Sequence, residues 1–161
     1  TTAAGELERT IDQADAPPVY LSYFGTASIK HLGIRAELLP GFFDQSDQHS
    51  LQPLRPGVYC ISATMLQCLY LSQARGPVWL DDYEKKYRFL ASYLQQVGFD
   101  SDDAHQIQPA MHNAIFNYRQ FQFAKLCAFL RKREPDYQIG YSILIYCLQQ
   151  KDIERALTGF Q

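Results

Sequence analysis

The chain has 161 residues, 47% of them hydrophobic, and sets 15 Lys and Arg against 17 Asp and Glu for a net charge of −2. That length sustains one compact domain burying roughly 70% of the unfolded chain's surface, which excludes a miniprotein held together by disulfides alone. The near balance of charge, with no long run of one sign, leaves no electrostatic footprint for nucleic acid.

In chain order, Leu7, Ile11 and Ala14 fall at i, i+4 and i+7 and predict a short amphipathic helix over 6–15, ended by Pro17 and Pro18. The β-branched and aromatic run 19–24 stops at Gly25 and predicts a strand, and Ile29, Leu32 and Leu38 predict a short helix over 28–39. Residues 40–56, rich in Pro, Asp, Gln and Ser, read as a surface loop. GVYCISAT at 57–64 is apolar on both faces, the pattern of a strand covered by helices on each side of a parallel sheet, and 65–72 continues as helix. The longest uncharged stretch, 56–74, has the length of a membrane span, yet Ser62, Thr64, Gln67, Ser72 and Gln73 interrupt it. It therefore reads as that strand entering that helix.

Tyr83, Tyr87, Leu90, Leu94 and Val97 recur at helical spacing up to Gly98, with Asp81 and Asp82 at the positive end of the helix dipole. A further helix starts from a Ser101 or Asp102 cap and runs through His105 to Tyr118, and another covers 120–133 before Pro135. QIGYSILIYCL at 138–148 predicts a third buried strand, and 151–157 a closing helix.

Strands separated by helical segments set the expected fold class: α/β, a small three-stranded, mainly parallel sheet with helices packed on it in a Rossmann-like three-layer arrangement, with 1–161 as a single domain. Ligands of such sheets bind beyond the carboxyl ends of the strands, here Phe24-Gly25-Thr26, Ala63-Thr64 and Tyr146-Cys147. On that shelf Tyr23, Gly25, Thr26 and Thr64 are the candidate ligand-binding residues. Gly25 permits close approach, and the hydroxyls of the other three can hydrogen-bond a sugar or phosphate oxygen; a turn or capping role is the alternative.

Other chemistry is weakly supported. The turn Tyr23-Phe24-Gly25-Thr26-Ala27 has one Gly where dinucleotide binding needs three. Gly140-Tyr141-Ser142 begins like a nucleophile elbow, but Leu144 stands where the second Gly belongs and the Ser is expected inside a strand. Asp100-Ser101-Asp102-Asp103 fits a helix cap better than a cation site. His31, His49, His105 and His112 include no i, i+4 pair. Cys60, Cys68, Cys127 and Cys147 show no zinc spacing, so buried thiols are the default; one disulfide stays open in an oxidising compartment, with Cys60 and Cys147 in strand runs that can share a sheet.

VYLSYFGTA at 19–27, Gly33-Ile34, Leu39-Pro40, PGVYCISAT at 56–64 and IGYSI at 139–143 fall in one order. Together they resemble the soluble C-terminal tail of bacterial multi-pass membrane glycosyltransferases, related to the protein mannosyltransferases that use polyprenyl-phosphate sugars. The resemblance spans most of the chain, and its three main blocks coincide with the three predicted strands. It implies a domain on the extracytoplasmic, periplasmic side of a membrane-anchored parent, attached to the transmembrane part of the same chain. The implied role is acceptor or partner recognition, with a glycan or lipid-linked sugar as ligand. In that family the catalytic acidic residues belong to loops between membrane helices, so no catalytic residue carries over, and no cofactor or metal is expected. Ser28-Ile29 and His31-Leu32 stand where the family usually has Asp-Pro and a Tyr pair. The opening Thr1-Thr2-Ala3-Ala4 reads as processed or as cut from a longer chain. The rival expectations are a free-standing small-molecule-binding or enzymatic α/β domain and a protein-interaction domain.

Overall fold

The computed structural model of the chain describes residues 17–24, 35–39, 53–98 and 109–158; the helix expected over 6–15 lies outside them. The strands are β1 (Val19–Ser22), β2 (Glu37–Leu38), β3 (Gly57–Ser62), β4 (Tyr137–Ile139) and β5 (Ile143–Leu148), and they form one sheet in the order β2-β1-β3-β5-β4. β1 pairs in parallel with both β2 and β3, with Tyr20 opposite Tyr59 and Ser22 opposite Ile61. β5 runs antiparallel to both its neighbours, with Ile61 opposite Leu144 and Ile139 opposite Ile143.

The α/β class is as expected, and the three foreseen strands are neighbours. The sheet, however, is five-stranded and mixed, not three-stranded and mainly parallel. The cause is local. Residues 138–148 do not form one strand, because Gly140 takes the left-handed region (φ +57°) and residues 140–142 turn the chain back on itself. A tight turn reverses direction, so β4 and β5 become a hairpin and β5 must oppose β3. Ser142 consequently sits exposed in this turn, not inside a strand as expected. At the other edge, Glu37 and Leu38 pair with β1 and so extend the sheet where the end of a helix was expected; residues 28–34 lie outside the described chain.

Four helices are described: α1 (Ala63–Leu66), α2 (Asp81–Gln96), α3 (Pro109–Leu130) and α4 (Gln150–Thr158). Ser62 closes β3 with extended backbone, and its Oγ accepts from the amide of Met65 at 3.2 Å, capping α1. α1 ends after one turn, short of the expected residue 72, and the chain turns through Cys68 in the left-handed region (φ +54°). α2 carries Asp81 and Asp82 in its first turn, as the sequence foretold, together with Glu84. α3 replaces two expected helices by one of 22 residues. No Gly or Pro falls between Ala110 and Leu130, so nothing ends the helix near residue 119. The polar Gln120 in its middle is satisfied by tertiary partners: its Oε1 accepts from the Ser72 amide (3.1 Å), the Ser72 hydroxyl (2.9 Å) and the Gln73 amide (3.3 Å).

Both faces of the sheet are apolar. On one, Tyr20, Tyr59, Ile61, Tyr146 and Leu148 pack beneath α1, α3 and α4, with α2 outside α3. On the other, Val19, Leu21, Cys60, Ile143 and Ile145 form a second buried cluster with Ile139 of the hairpin.

Candidate functional site

β1 and β3 are parallel, so their carboxyl ends lie at one edge of the sheet. Tyr23 and Phe24 follow β1 there, 37% and 39% exposed. Thr64, half-buried, opens α1 just past the end of β3. Phe24 stacks on Tyr70 with ring centroids 5.0 Å apart and planes 14° from parallel, and Tyr70 is itself 39% exposed. Of the expected shelf residues, the fold thus brings Tyr23 and Thr64 to the same edge; Gly25 and Thr26 lie outside the described residues.

The third part of the expected shelf needs correction. Because β5 is antiparallel, Tyr146 and Cys147 lie toward the opposite edge. The beginning of β5 occupies the shelf instead: Ser62 pairs with Ile143, and the Ser142 carbonyl accepts from the Ala63 amide at 2.8 Å. The exposed Tyr141 sits in the same turn. Three segments distant in sequence, ending in Tyr23-Phe24, Ala63-Thr64 and Tyr141-Ser142, therefore meet at one edge. Phe24, Tyr70 and Tyr141 went unassigned in the sequence because the stack pairs residues 46 positions apart and the turn depends on strand direction.

A second constellation lies between α2 and α3. The ammonium of Lys125, whose side chain is 2% exposed, stands 3.0 and 3.2 Å from the two carboxylate oxygens of Glu84. It lies over the ring of Tyr87 (4.7 Å) and that of Trp79 (5.5 Å). Glu84 also accepts from the Trp79 indole at 2.9 Å and from Arg88 at 3.1 Å. Burial alone raises the Glu84 carboxyl, but the Lys125 hydrogen bond and charge, with those two donors, outweigh it and hold the group below 4.5. Burial, reinforced by Tyr118 stacked at 5.3 Å, pushes the Tyr87 phenol up. The sequence signal for this site is Lys125 standing as the one charge between Phe121 and Leu130.

Two clefts lie near these helices, and Glu84 lines the first of them. One, about 430 Å³, is lined by Trp79, Asp81, Glu84 and Arg131 among others. The second, about 520 Å³, is lined among the described residues by Tyr118, Arg119, Gln122 and Leu94. Arg119 is buried and donates to Gln122 at 2.6 Å. Among the described residues no group of three or more His, Cys, Asp and Glu side chains stands together, and no helix is long and apolar enough to cross a membrane. The Asp100–Asp103 cluster and His31, His49 and His105 lie outside the described residues.

Fold and site define an α/β domain on a mixed five-stranded sheet, with an aromatic shelf at the edge where β1 and β3 end. Comparison of the chain with protein-family models, with curated proteins and with solved structures finds no significant match.

Proposed function

We propose that this chain is the extracytoplasmic domain of an integral-membrane protein resembling a lipid-phosphate-sugar glycosyltransferase. In this reading the transmembrane part of the same chain is its permanent partner, and the domain recognises an acceptor, glycan or lipid-linked sugar without transferring the sugar itself. One observation carries the reading: the three sequence blocks behind the resemblance, distant in the chain, converge at one edge of the sheet in Tyr23-Phe24, Ala63-Thr64 and Tyr141-Ser142. The surface there suits such a ligand. Sugar rings present C–H faces that pack on aromatic rings such as the Phe24–Tyr70 stack, while hydroxyls such as those of Tyr23 and Thr64 hydrogen-bond sugar or phosphate oxygens.

The test is NMR titration with a short-chain polyprenyl-phosphate hexose. Shift changes centred on Tyr23, Phe24, Thr64, Tyr70 and Tyr141 support the shelf, and changes confined to another face discard it. Hydrophobic spans of ~20 residues in the same reading frame support the membrane parent.

The rival, a small-molecule-binding domain, draws on the cleft of about 430 Å³ beside Trp79 and Glu84, which lies within the usual size range of ligand pockets. Trp79 is the single tryptophan of the chain. Its fluorescence reports that cleft separately from the shelf: saturable quenching by a sugar phosphate without shifts at Tyr23 and Tyr70 favours the rival.

A further inference from the structure

The cleft of about 430 Å³ lies where the start of α2 faces the residues just past the end of α3, and charges of both signs line it. Asp81 and Glu84 come from α2, and Arg131 and Lys132 from the end of α3. Its walls are held from behind. Trp79 donates its indole N–H to Glu84 at 2.9 Å and meets the rings of Phe121 and Tyr87 edge-on, with centroids 6.2 and 6.5 Å away. Arg131, half-buried, donates from Nη1 to the Leu66 carbonyl at 2.6 Å, and its amide donates to the Cys127 carbonyl at 2.9 Å.

The four charges are not equivalent. Glu84 is already neutralised, with Lys125 at 3.0 Å and Arg88 at 3.1 Å from its carboxylate. Asp81 is exposed and takes no hydrogen bond or ion pair among the described residues. The guanidinium of Arg131 is anchored through Nη1 alone, so among the described residues its Nε and Nη2 are open. The cleft therefore offers one open carboxylate and the open edge of one guanidinium, with Lys132 adding positive charge beside it. A simple anion drawn to Arg131 would face Asp81, and a simple cation drawn to Asp81 would face Arg131 and Lys132. A molecule carrying both charges meets each with its opposite.

We propose that this cleft binds a free α-amino acid with an apolar side chain, such as leucine. Its carboxylate takes two parallel hydrogen bonds from Nε and Nη2 of Arg131, the fork that a guanidinium presents to a carboxylate. Its ammonium pairs with Asp81, and its side chain packs on Trp79, Val78 and Ala128. The proposal rests on the reading of this cleft as a small-molecule site and uses no residue of the shelf.

The test follows the fluorescence of Trp79, the single tryptophan, in the whole chain as L-leucine is added. Saturable quenching is expected. Leucine methyl ester lacks the carboxylate and N-acetyl-leucine lacks the ammonium, and each should bind about tenfold more weakly, the factor for one lost charge-assisted hydrogen bond. Asp81→Asn, at an exposed position without a partner, should weaken leucine by a similar factor while leaving N-acetyl-leucine no weaker, a pattern that misfolding would not produce. No saturable response to leucine, or equal binding of leucine and both analogues, overturns the proposal. A sugar phosphate that quenches as strongly as leucine overturns the amino-acid assignment and leaves the cleft a small-molecule site.

Discussion

Replacing Glu84 by Gln tests the buried ion pair from its less buried side. Lys125 is the partner that cannot reach water: its side chain is 2% exposed, against 21% for Glu84. Without the carboxylate, the ammonium keeps the faces of Tyr87 and Trp79, worth on the order of 2 kcal/mol when desolvated. That is less than the several kcal/mol needed to hold an ammonium out of water. Removing one member of a buried pair typically costs about 3–5 kcal/mol. Glutamine retains an oxygen for the hydrogen bond, which places the expected loss near 3 kcal/mol, a Tm decrease of about 10 °C for a chain of this size. Lys125→Met keeps the aliphatic packing and leaves a Glu84 still bonded to Trp79 and Arg88, so it is expected to cost less than ~1.5 kcal/mol. The double variant should recover most of the loss, because the stranded charge is gone. The assay is urea unfolding followed by circular dichroism for the four proteins of this cycle. Acid adds an independent check. The folded carboxyl lies below its ordinary 4.5, so its contribution is complete above that value and is lost as the pH falls through the lower, folded value. Glu84→Gln should flatten that acid limb. A loss below ~1 kcal/mol in Glu84→Gln, or an equal loss in Lys125→Met, refutes the asymmetry.

Ile61 and Ile143 are fully buried on opposite faces of the sheet; truncating either to Ala should cost on the order of 2–5 kcal/mol in the same assay, and a value under ~1 kcal/mol contradicts that burial. Gly57→Ala should destabilise by about 1–3 kcal/mol, because its added Cβ would lie 2.4 Å from the Pro18 carbonyl and 2.9 Å from the Tyr20 ring, pressing β3 away from β1; an unchanged midpoint would show that the strands yield at no cost. Incubated with lipid-linked sugar and peptide or glycan acceptors, the chain should show no transfer above background; turnover abolished by Asp100→Asn would overturn the accessory role.

Elements were legible where their signal is local. The apolar run of β3 and the Tyr83-to-Val97 periodicity of α2 each depend on residues within a few positions of one another, whereas β3 ends at Ser62, two residues short of the expected Thr64. Strand direction was not local. It turned on Gly140, whose freedom to adopt φ +57° reads identically whether it sits inside a strand or reverses one. Two helices were expected where α3 runs unbroken, and the Gln120 at their junction is explained only by the distant Ser72 and Gln73. The shelf was half legible for the same reason: Tyr23 and Thr64 follow from strand ends, whereas Tyr70 reaches Phe24 through the short α1 and the turn at Cys68.

The position of β5 governs the order in which this domain can assemble during synthesis. β5 occupies the slot between β3 and β4, yet it follows the other described strands in sequence, so one whole edge of β3 stays unpaired until residue 148 has emerged. A nascent chain holding only β1, β2 and β3 exposes a six-residue apolar edge of the kind that pairs readily with other chains. Residues 143–148 therefore act as a clasp: pairing along β3 waits on them, and a chain that stalls before them leaves an intermediate prone to aggregation.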